Sequence, residues 1–167
     1  MRTLIRINAG MDTIRSRWAE DPSRPLLVHA PRRSGKTGLV CALAAEHLEA
    51  GDRVCVVVTC KRLVQTLTRR IAELCRQNGL AIAAETPDRI AYGDGWVRCT
   101  VKDIDDGASV ILVDEAPCVD PEWFYDTLVP RMEGTPALLV GTHTSDVNYF
   151  ARLCRAPEPG FNAMEAF

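Results

Sequence analysis

The sequence predicts an α/β fold in which a mostly parallel central sheet is covered by helices on both faces. Short apolar runs alternate along the chain with longer segments of helical periodicity, a pattern typical of parallel strands joined by right-handed helical crossovers. The strand candidates are continuously apolar, which indicates that they are buried on both faces. The chain has 167 residues, enough for one domain with a full core.

In the first half of the chain, turn-forming residues separate the predicted elements. Residues 11–19 form a short amphipathic helix that is capped by Asp12 and ends at Asp21-Pro22. A helix over 61–77 has apolar residues at helical spacing, and Asn78-Gly79 provides its C-terminal stop. Between these helices the pattern predicts a strand over 25–29, a helix from 38 to about 49 and a strand over 53–59.

The second half continues the alternation. Residues 80–84 and 95–101 are strand candidates, with a turn at 92–95, and residues 109–113 form a further apolar strand. A helix over 121–128 begins with Asp120 as its cap and Pro121 at its first position. After a last strand over 135–142, the chain carries Pro157, Pro159 and Gly160 and is expected to fray. We therefore divide it into a basic helical segment (1–24), a core (25–150) and a partly flexible tail (151–167).

The composition sets limits on the class of protein. Hydrophobic residues make up 47% and charged residues 25% of the chain, an ordinary globular mixture. We find no apolar run long enough to span a membrane and no layout of a secretory signal, so we expect no membrane partner. The seven cysteines form no C-x-x-C pair, and we interpret them as small buried hydrophobic residues in a reducing compartment.

Charge is distributed unevenly although the net charge is only −2. Residues 1–40 carry eight basic and three acidic side chains. Within 53–77 only Glu73 opposes a basic cluster, which consists of Arg53, Lys61, Arg62, Arg69, Arg70 and Arg76. This asymmetry fits a nucleic-acid path on one face, and it fits solvated helix faces equally well.

Residues 30–37 read Ala-Pro-Arg-Arg-Ser-Gly-Lys-Thr, a phosphate-binding loop (Walker A) in which Ala30 replaces the first glycine. The loop lies between an apolar strand and a helix, so its amides and the helix N-terminus would face an anion. Lys36 is expected to reach the β- and γ-phosphates, and the Thr37 hydroxyl to ligate Mg²⁺. The expected nucleotide-binding residues are Ala30, Pro31, Arg32, Arg33, Ser34, Gly35, Lys36, Thr37 and Gly38.

A second motif (Walker B) is the apolar strand that ends in Asp114 and Glu115. Residues at the carboxyl ends of parallel strands face the ligand crevice. Asp114 is expected to hold Mg²⁺, and Glu115 to polarise the attacking water. Read alone, the run is also compatible with a core strand followed by a solvated acidic turn. The two motifs together predict a nucleoside triphosphate site in a P-loop NTPase, a RecA/ASCE-like three-layer sandwich.

The strand-end motifs together resemble the ATPase domain of viral terminase large subunits, of the herpesvirus and tailed-phage type. The resemblance covers roughly residues 25–150 and includes the Pro-Arg-Arg-x-Gly-Lys-Thr loop, the segment 113–119, and residues 138–145, similar to a motif that couples hydrolysis to DNA movement. It implies an ATP- and Mg²⁺-dependent motor that translocates double-stranded DNA and works as a homo-oligomeric ring or with other packaging subunits. It also implies that the protein is located in the cytoplasm or, for a virus of eukaryotes, in the host nucleus.

The resemblance implies roles for further residues. Arg32 would contact the γ-phosphate in cis, and Gly141 and Thr142 would sense its departure. Arg98 is the nearest candidate for an arginine acting in trans on a neighbouring subunit, while Arg33 could contact DNA, a partner or solvent. The chain departs from the family in lacking a recognisable nuclease region and adenine-recognition motif. Trp18 is expected to be a core residue rather than a base-stacking one.

Two other functions fit the same motifs. A helicase-type motor domain would use the phosphate loop, Asp114 and Glu115, with a strand end at Thr59 following a nucleic-acid backbone. An ATP-binding switch would bind nucleotide with little turnover, and the presence of Glu115 argues against it.

Overall fold

The computed structural model describes residues 9–142 and 147–165. Eight strands form one sheet. They are β1 (Leu26–Ala30), β2 (Arg53–Val57), β3 (Ala84–Glu85), β4 (Arg89–Tyr92), β5 (Gly95–Thr100), β6 (Val110–Val113), β7 (Ala137–Thr142) and β8 (Asn162–Glu165).

The strand order is β3-β4-β5-β2-β6-β7-β1-β8. In this order the six strands β5, β2, β6, β7, β1 and β8 are parallel, while β4 and β3 add an antiparallel edge. The predicted mostly parallel sheet is therefore confirmed. Strand β7 lies between β1 and β6, so the strand that leads into the phosphate loop and the strand that carries the carboxylates are separated by one strand.

Helices cover both faces of this sheet. They are α1 (Ala9–Glu20), α2 (Lys36–Glu49), α3 (Lys61–Gln77), α4 (Pro121–Trp123), α5 (Val129–Met132) and α6 (Tyr149–Arg155). A π-helical turn, Phe124–Leu128, joins α4 to α5 without a break. The Asp120 carboxylate caps α4 by accepting a hydrogen bond from the Trp123 N–H at 3.0 Å, as predicted.

Alternate residues of each parallel strand belong to different cores. In β1, Leu26 and Val28 pack with α1, α2 and α3, whereas Leu27 packs on the other face with α5, α6 and the π-helical turn. Both sets are almost fully buried. Burial on two faces explains the uninterrupted apolar runs of the sequence and produces three layers.

The C-terminal stretch differs most from the expectation. Residues 151–167 were assigned to a partly flexible tail, but the described part of this stretch completes α6 and then forms β8. Ala151 and Leu153 are buried, and β8 pairs in parallel with β1 from Leu26 onward. The prolines and Gly160 form the turn between these elements rather than a frayed end.

Smaller differences concern element boundaries. Helix α1 begins at Ala9, so Asp12 lies in its first turn and is not its cap. The candidate strand over 80–84 reduces to Ala84–Glu85, and β4, which the sequence did not predict, pairs with β5 through the expected turn. Trp18 is 6% exposed in the core, as expected. Among the described residues, no helix is long and apolar enough to cross a membrane.

Candidate nucleotide-binding and catalytic site

The phosphate loop connects the end of β1 to the start of α2. Ala30 is fully buried and pairs with Thr142 as the last residue of β1, so the position of the missing glycine belongs to the strand. The turn uses two left-handed residues further on, Arg33 with φ 59° and Gly35 with φ 93°. Gly35 caps α2 and accepts the first helical hydrogen bond from the Leu39 N–H at 2.9 Å. The helix N-terminus therefore opens directly onto the loop, where an anion is favoured.

Lys36 lies beneath this loop. Its side chain is only 5% exposed, and Nζ donates hydrogen bonds to the Pro31 carbonyl at 2.7 Å and to Ser34 Oγ at 3.4 Å. The ammonium group thus sits within the curve of the loop, bonded to neutral oxygens. A phosphate there would replace a neutral acceptor by a charged one, which strengthens the hydrogen bond about twofold.

Thr37 and Asp114 meet across the sheet edge. The Thr37 hydroxyl donates to Asp114 Oδ2 at 2.8 Å, although the two residues are far apart in sequence. Asp114 is 5% exposed. Burial and then the charge of Glu115 raise its pKa, while the Thr37 hydrogen bond acts in the opposite direction.

This pair fits a magnesium ion. A hydroxyl and a carboxylate are hard oxygen ligands, and Mg²⁺ usually takes one or two such protein ligands together with water and phosphate oxygens. A divalent cation would also supply the positive charge that a buried carboxylate needs. Thr37 and Asp114 are the residues that would hold it.

Glu115 is held in an unusual backbone conformation. Its φ of 53° lies in the left-handed region, which is uncommon for a non-glycine residue and frequent at functional sites. Its N–H donates to Asp114 Oδ1 at 3.1 Å. The Thr142 hydroxyl lies 3.0 and 3.1 Å from the two oxygens of the Glu115 carboxylate and donates to them. The ends of β1, β6 and β7 thus bring Thr37, Asp114, Glu115 and Thr142 into one network.

The segment 115–118 after β6 is called the Glu115 loop. Two residues that the sequence did not identify support it. Tyr149 Oη donates to the Ala116 carbonyl at 2.6 Å, and Asn148 Nδ2 donates to the Pro117 carbonyl at 3.0 Å. Both lie at the start of α6, where Asn148 also caps the helix. The Asn-Tyr pair at the start of this helix carries no motif, so only the fold reveals its position.

Gly141 is required by packing. A Cβ at this position would lie 2.3 Å from Pro117 Cδ and 2.8 Å from Phe150 Cε1. The expected coupling residue therefore lies where β7, the Glu115 loop and α6 touch. The other residues of the predicted motif, His143, Thr144 and Ser145, lie outside the described residues.

Replacing Gly141 by alanine should destabilise the protein. Overpacking a closed contact costs about 1–3 kcal/mol, which corresponds to a fall of several degrees in Tm for a chain of this size. Thermal unfolding would measure it. Gly107→Ala is the matched control, because the nearest neighbour of its added Cβ is Arg53 Nη1 at 3.6 Å. Equal Tm values for the two variants would contradict the packing argument.

The structure places the three candidate arginines differently. Arg32 and Arg33 are exposed on the phosphate loop and form no ion pair with any residue that the structure describes. Arg98 lies within β5 and donates to Asp105 at 3.1 Å and to Asp103 at 2.8 Å, and these bonds raise its pKa. A role in trans would require Arg98 to leave both aspartates.

The chain has a RecA-like fold, which solved terminase and helicase structures share. No family model matches the sequence, and no curated protein matches it significantly. Comparison with solved structures finds the large terminase ATPase domain of Thermus phage P74-26, in a mutant form, with a TM-score of 0.76. The two share 13% identity over 95% of this chain and 80% of the phage domain.

Two other solved structures are similar over nearly the whole chain. The large terminase of another thermophilic bacteriophage, in complex with ATP-γ-S, gives a TM-score of 0.69 at 12% identity, covering 96% of this chain and 44% of the terminase. A hypothetical ATP-dependent RNA helicase from Sulfolobus tokodaii gives 0.62 at 16% identity, covering 98% of this chain and 54% of the helicase. At these identities the likeness establishes the fold.

Proposed function

We propose that this chain is a Mg²⁺-dependent ATPase motor domain of the terminase type, which couples ATP hydrolysis to the translocation of double-stranded DNA. The observation that carries the proposal is the network at the sheet edge, in which Thr37 bonds Asp114 and Thr142 bonds Glu115. It supplies a site for the metal, a carboxylate for the water and a link to a third strand. Two further features support the same function. The phosphate-loop sequence resembles that of terminases, and the chain shares its fold with solved terminase ATPase domains.

In the proposed mechanism the loop binds the phosphates. Lys36 turns from the Pro31 carbonyl to the β- and γ-phosphates, and the loop amides hold the same oxygens. Thr37 and Asp114 would hold Mg²⁺, which when bound would neutralise charge on the phosphate oxygens. Glu115 orients the attacking water and accepts its proton. Arg32, exposed beside the loop, spreads the charge that develops on the γ-phosphoryl group.

Coupling follows from the Thr142–Glu115 hydrogen bond. Glu115 holds its carboxylate against Thr142, and to orient water it must share or release this contact. Any resulting movement of the end of β7 would reach Pro117 and Phe150 through the close contacts around Gly141. We infer that this path transmits the loss of γ-phosphate to α6.

Assembly belongs to the same proposal. The terminase resemblance implies a site built between identical subunits, which favours a homo-oligomeric ring or association with other motor subunits. Arg98 is the candidate from sequence. It is paired with Asp88, Asp103 and Asp105 of its own chain, so it could act in trans only if the neighbour's phosphates displace these carboxylates.

A helicase-type motor is the second candidate, because the Sulfolobus protein shares the fold. Thr59 lies just beyond β2, at the sheet edge where a helicase-type motor would contact the nucleic-acid backbone. Directional strand unwinding would favour this function, whereas stimulation by duplex DNA without unwinding favours the terminase type.

The test of the proposed function is steady-state ATP hydrolysis with Mg²⁺, with and without double-stranded DNA. We expect turnover that depends on Mg²⁺ and rises with duplex DNA. Nucleotide binding without turnover in either condition would replace the motor by an ATP-binding switch. Turnover that single-stranded nucleic acid alone stimulates would favour the helicase type.

A further inference from the structure

The exposed face of α3 carries a row of basic side chains. Lys61, Arg62, Arg69 and Arg70 are all exposed, and none forms an ion pair with the residues that the structure describes. Arg62 and Arg69 are seven residues apart, which is about two helical turns or 10 Å along the axis. The polar residues Gln65 and Thr66 lie between them and are also exposed. We call these six residues the α3 basic row.

Six arginines elsewhere in the described chain form ion pairs with carboxylates of the same chain, whereas others, such as Arg32, Arg53 and Arg152, form none. The ion pairs are Arg15–Glu46, Arg17–Glu20, Arg24–Asp21, Arg76–Glu85, Arg131–Asp106 and those of Arg98 with Asp88, Asp103 and Asp105. A solvated helix commonly places carboxylates one turn from its arginines. The one carboxylate of α3, Glu73, lies one turn beyond Arg69 and accepts a hydrogen bond from Gln77 at 3.3 Å, and it forms no ion pair with the row. The α3 basic row is therefore distinguished by four exposed basic side chains along one face of one helix.

The α3 basic row begins beside the candidate site. Strand β2 ends next to β6, with Val57 paired to Val113, and the Asp114 N–H donates to the Val57 carbonyl at 3.0 Å. The start of α3 therefore lies at the same sheet edge as Asp114. Further along α3, Arg70 approaches the phosphate-loop helix, since a Cβ built on Gly38 would lie 3.5 Å from Arg70 Nη2. A polyanion on this face would be close to the hydrolysis site.

We propose that the α3 basic row binds the phosphate backbone of duplex DNA. This assignment rests on the proposed function and names the face that contacts its DNA. Guanidinium groups bind phosphates in bidentate fashion, and backbone contacts of this kind provide affinity without reading sequence. The row runs along a 17-residue helix and so fits an extended anionic backbone.

Two observations separate duplex DNA from other partners. Helix α3 contains no aromatic residue, whereas proteins that bind single strands stack the bases on aromatic side chains. A second copy of this chain would need an acidic face, but Asp103, Asp105 and Asp106 of its most acidic run already pair with Arg98 and Arg131. The α3 basic row therefore suits duplex DNA better than a single-stranded nucleic acid or a second copy of this chain.

The test compares two double variants of the full chain by fluorescence anisotropy with a labelled duplex of 30 base pairs. Arg62→Gln with Arg69→Gln removes the centre of the α3 basic row. Arg53→Gln with Arg152→Gln is the matched control, because both residues are exposed and form no ion pair within the described chain. Arg53 opens β2 at the opposite sheet edge, and Arg152 lies on α6 across the sheet.

If two phosphate contacts are lost, the slope of log affinity against log salt falls in magnitude by about 1.8, and binding at 50 mM salt weakens about 100-fold. The control variant keeps the wild-type slope. Turnover without DNA stays at the wild-type level in both variants, which separates loss of DNA binding from damage to the ATPase.

Four outcomes would overturn the assignment. Wild-type slopes in both double variants would remove the α3 basic row from the DNA interface and leave the proposed function intact. If the wild-type protein binds single-stranded DNA or RNA more tightly than duplex, and the Arg62→Gln, Arg69→Gln variant loses that binding, the ligand of the row would be a single strand and not a duplex. Self-association of the wild-type chain that this variant alone abolishes would assign the row to a subunit interface. Absence of duplex binding by the wild-type protein would refute both this assignment and the DNA part of the proposed function.

Discussion

Lys36→Ala should abolish useful nucleotide binding. Lys36 is 5% exposed, and its ammonium group lies within the phosphate loop, 2.7 Å from the Pro31 carbonyl. In the complex it would pair with the β- and γ-phosphates, and removing one partner of a buried charged hydrogen bond costs about 2–5 kcal/mol. We therefore expect the affinity for ATP to fall by about 30-fold to several thousandfold. Titration calorimetry with ATP and Mg²⁺ measures this directly.

The control for Lys36 must distinguish charge from folding. Lys36→Met keeps the aliphatic stem and the loop packing, and Lys102→Ala removes an exposed lysine beyond β5. The first should bind as poorly as Lys36→Ala with a near-wild-type Tm, and the second should bind normally. A Lys36→Met protein that binds ATP within threefold of wild type would contradict the assignment.

Glu115→Gln should retain nucleotide binding and lose turnover. Glutamine is nearly isosteric and can still accept the Thr142 hydroxyl bond at about the observed 3.0 Å, so the site keeps its shape. It cannot accept a proton from water, and general base catalysis contributes about 10²–10⁴-fold in rate. Turnover should fall by about that factor while the affinity for ATP stays within a fewfold of wild type.

The measurement is single-turnover ATP hydrolysis with the binding constant determined in parallel. Glu122→Gln is the matched control, since Glu122 is exposed on α4 and should leave the rate unchanged. Normal hydrolysis by the Glu115→Gln protein would remove Glu115 from the catalytic role. Loss of binding together with turnover would make it a structural residue of the loop.

Much of the fold could be predicted from the sequence because its signals are local. The helix over 61–77 ends where Asn78-Gly79 predicted, with Gly79 at φ 84°. The buried strands are visible as apolar runs because both of their faces are covered. Elements with weak local signals were missed. Strand β8 follows two prolines and a glycine, and its pairing with β1 depends on a strand more than 130 residues earlier.

The candidate site divides in the same way. Lys36 and Thr37 open the helix after a strand, and Asp114 and Glu115 follow a strand end. This is the spacing that phosphate and metal chemistry need, so the residue types alone indicated all four. The sequence did not show that Ala30 belongs to the strand, nor that the left-handed conformation occurs at Arg33 and Glu115. Nor did it show that the guanidinium group of Arg98 is held by aspartates of its own chain.

Local sequence signals were enough to predict the fold class and to nominate the residues proposed to bind phosphate, metal and water, because periodicity and strand-end chemistry are encoded within a few residues. Which of these residues lie in contact depends on the arrangement of the strands in the folded chain. Strand order in a parallel sheet is set by helical crossovers and by packing on two faces, not by neighbours in the chain. By placing β7 between β1 and β6, it brings Thr142 to Glu115 and Gly141 against Pro117 and Phe150.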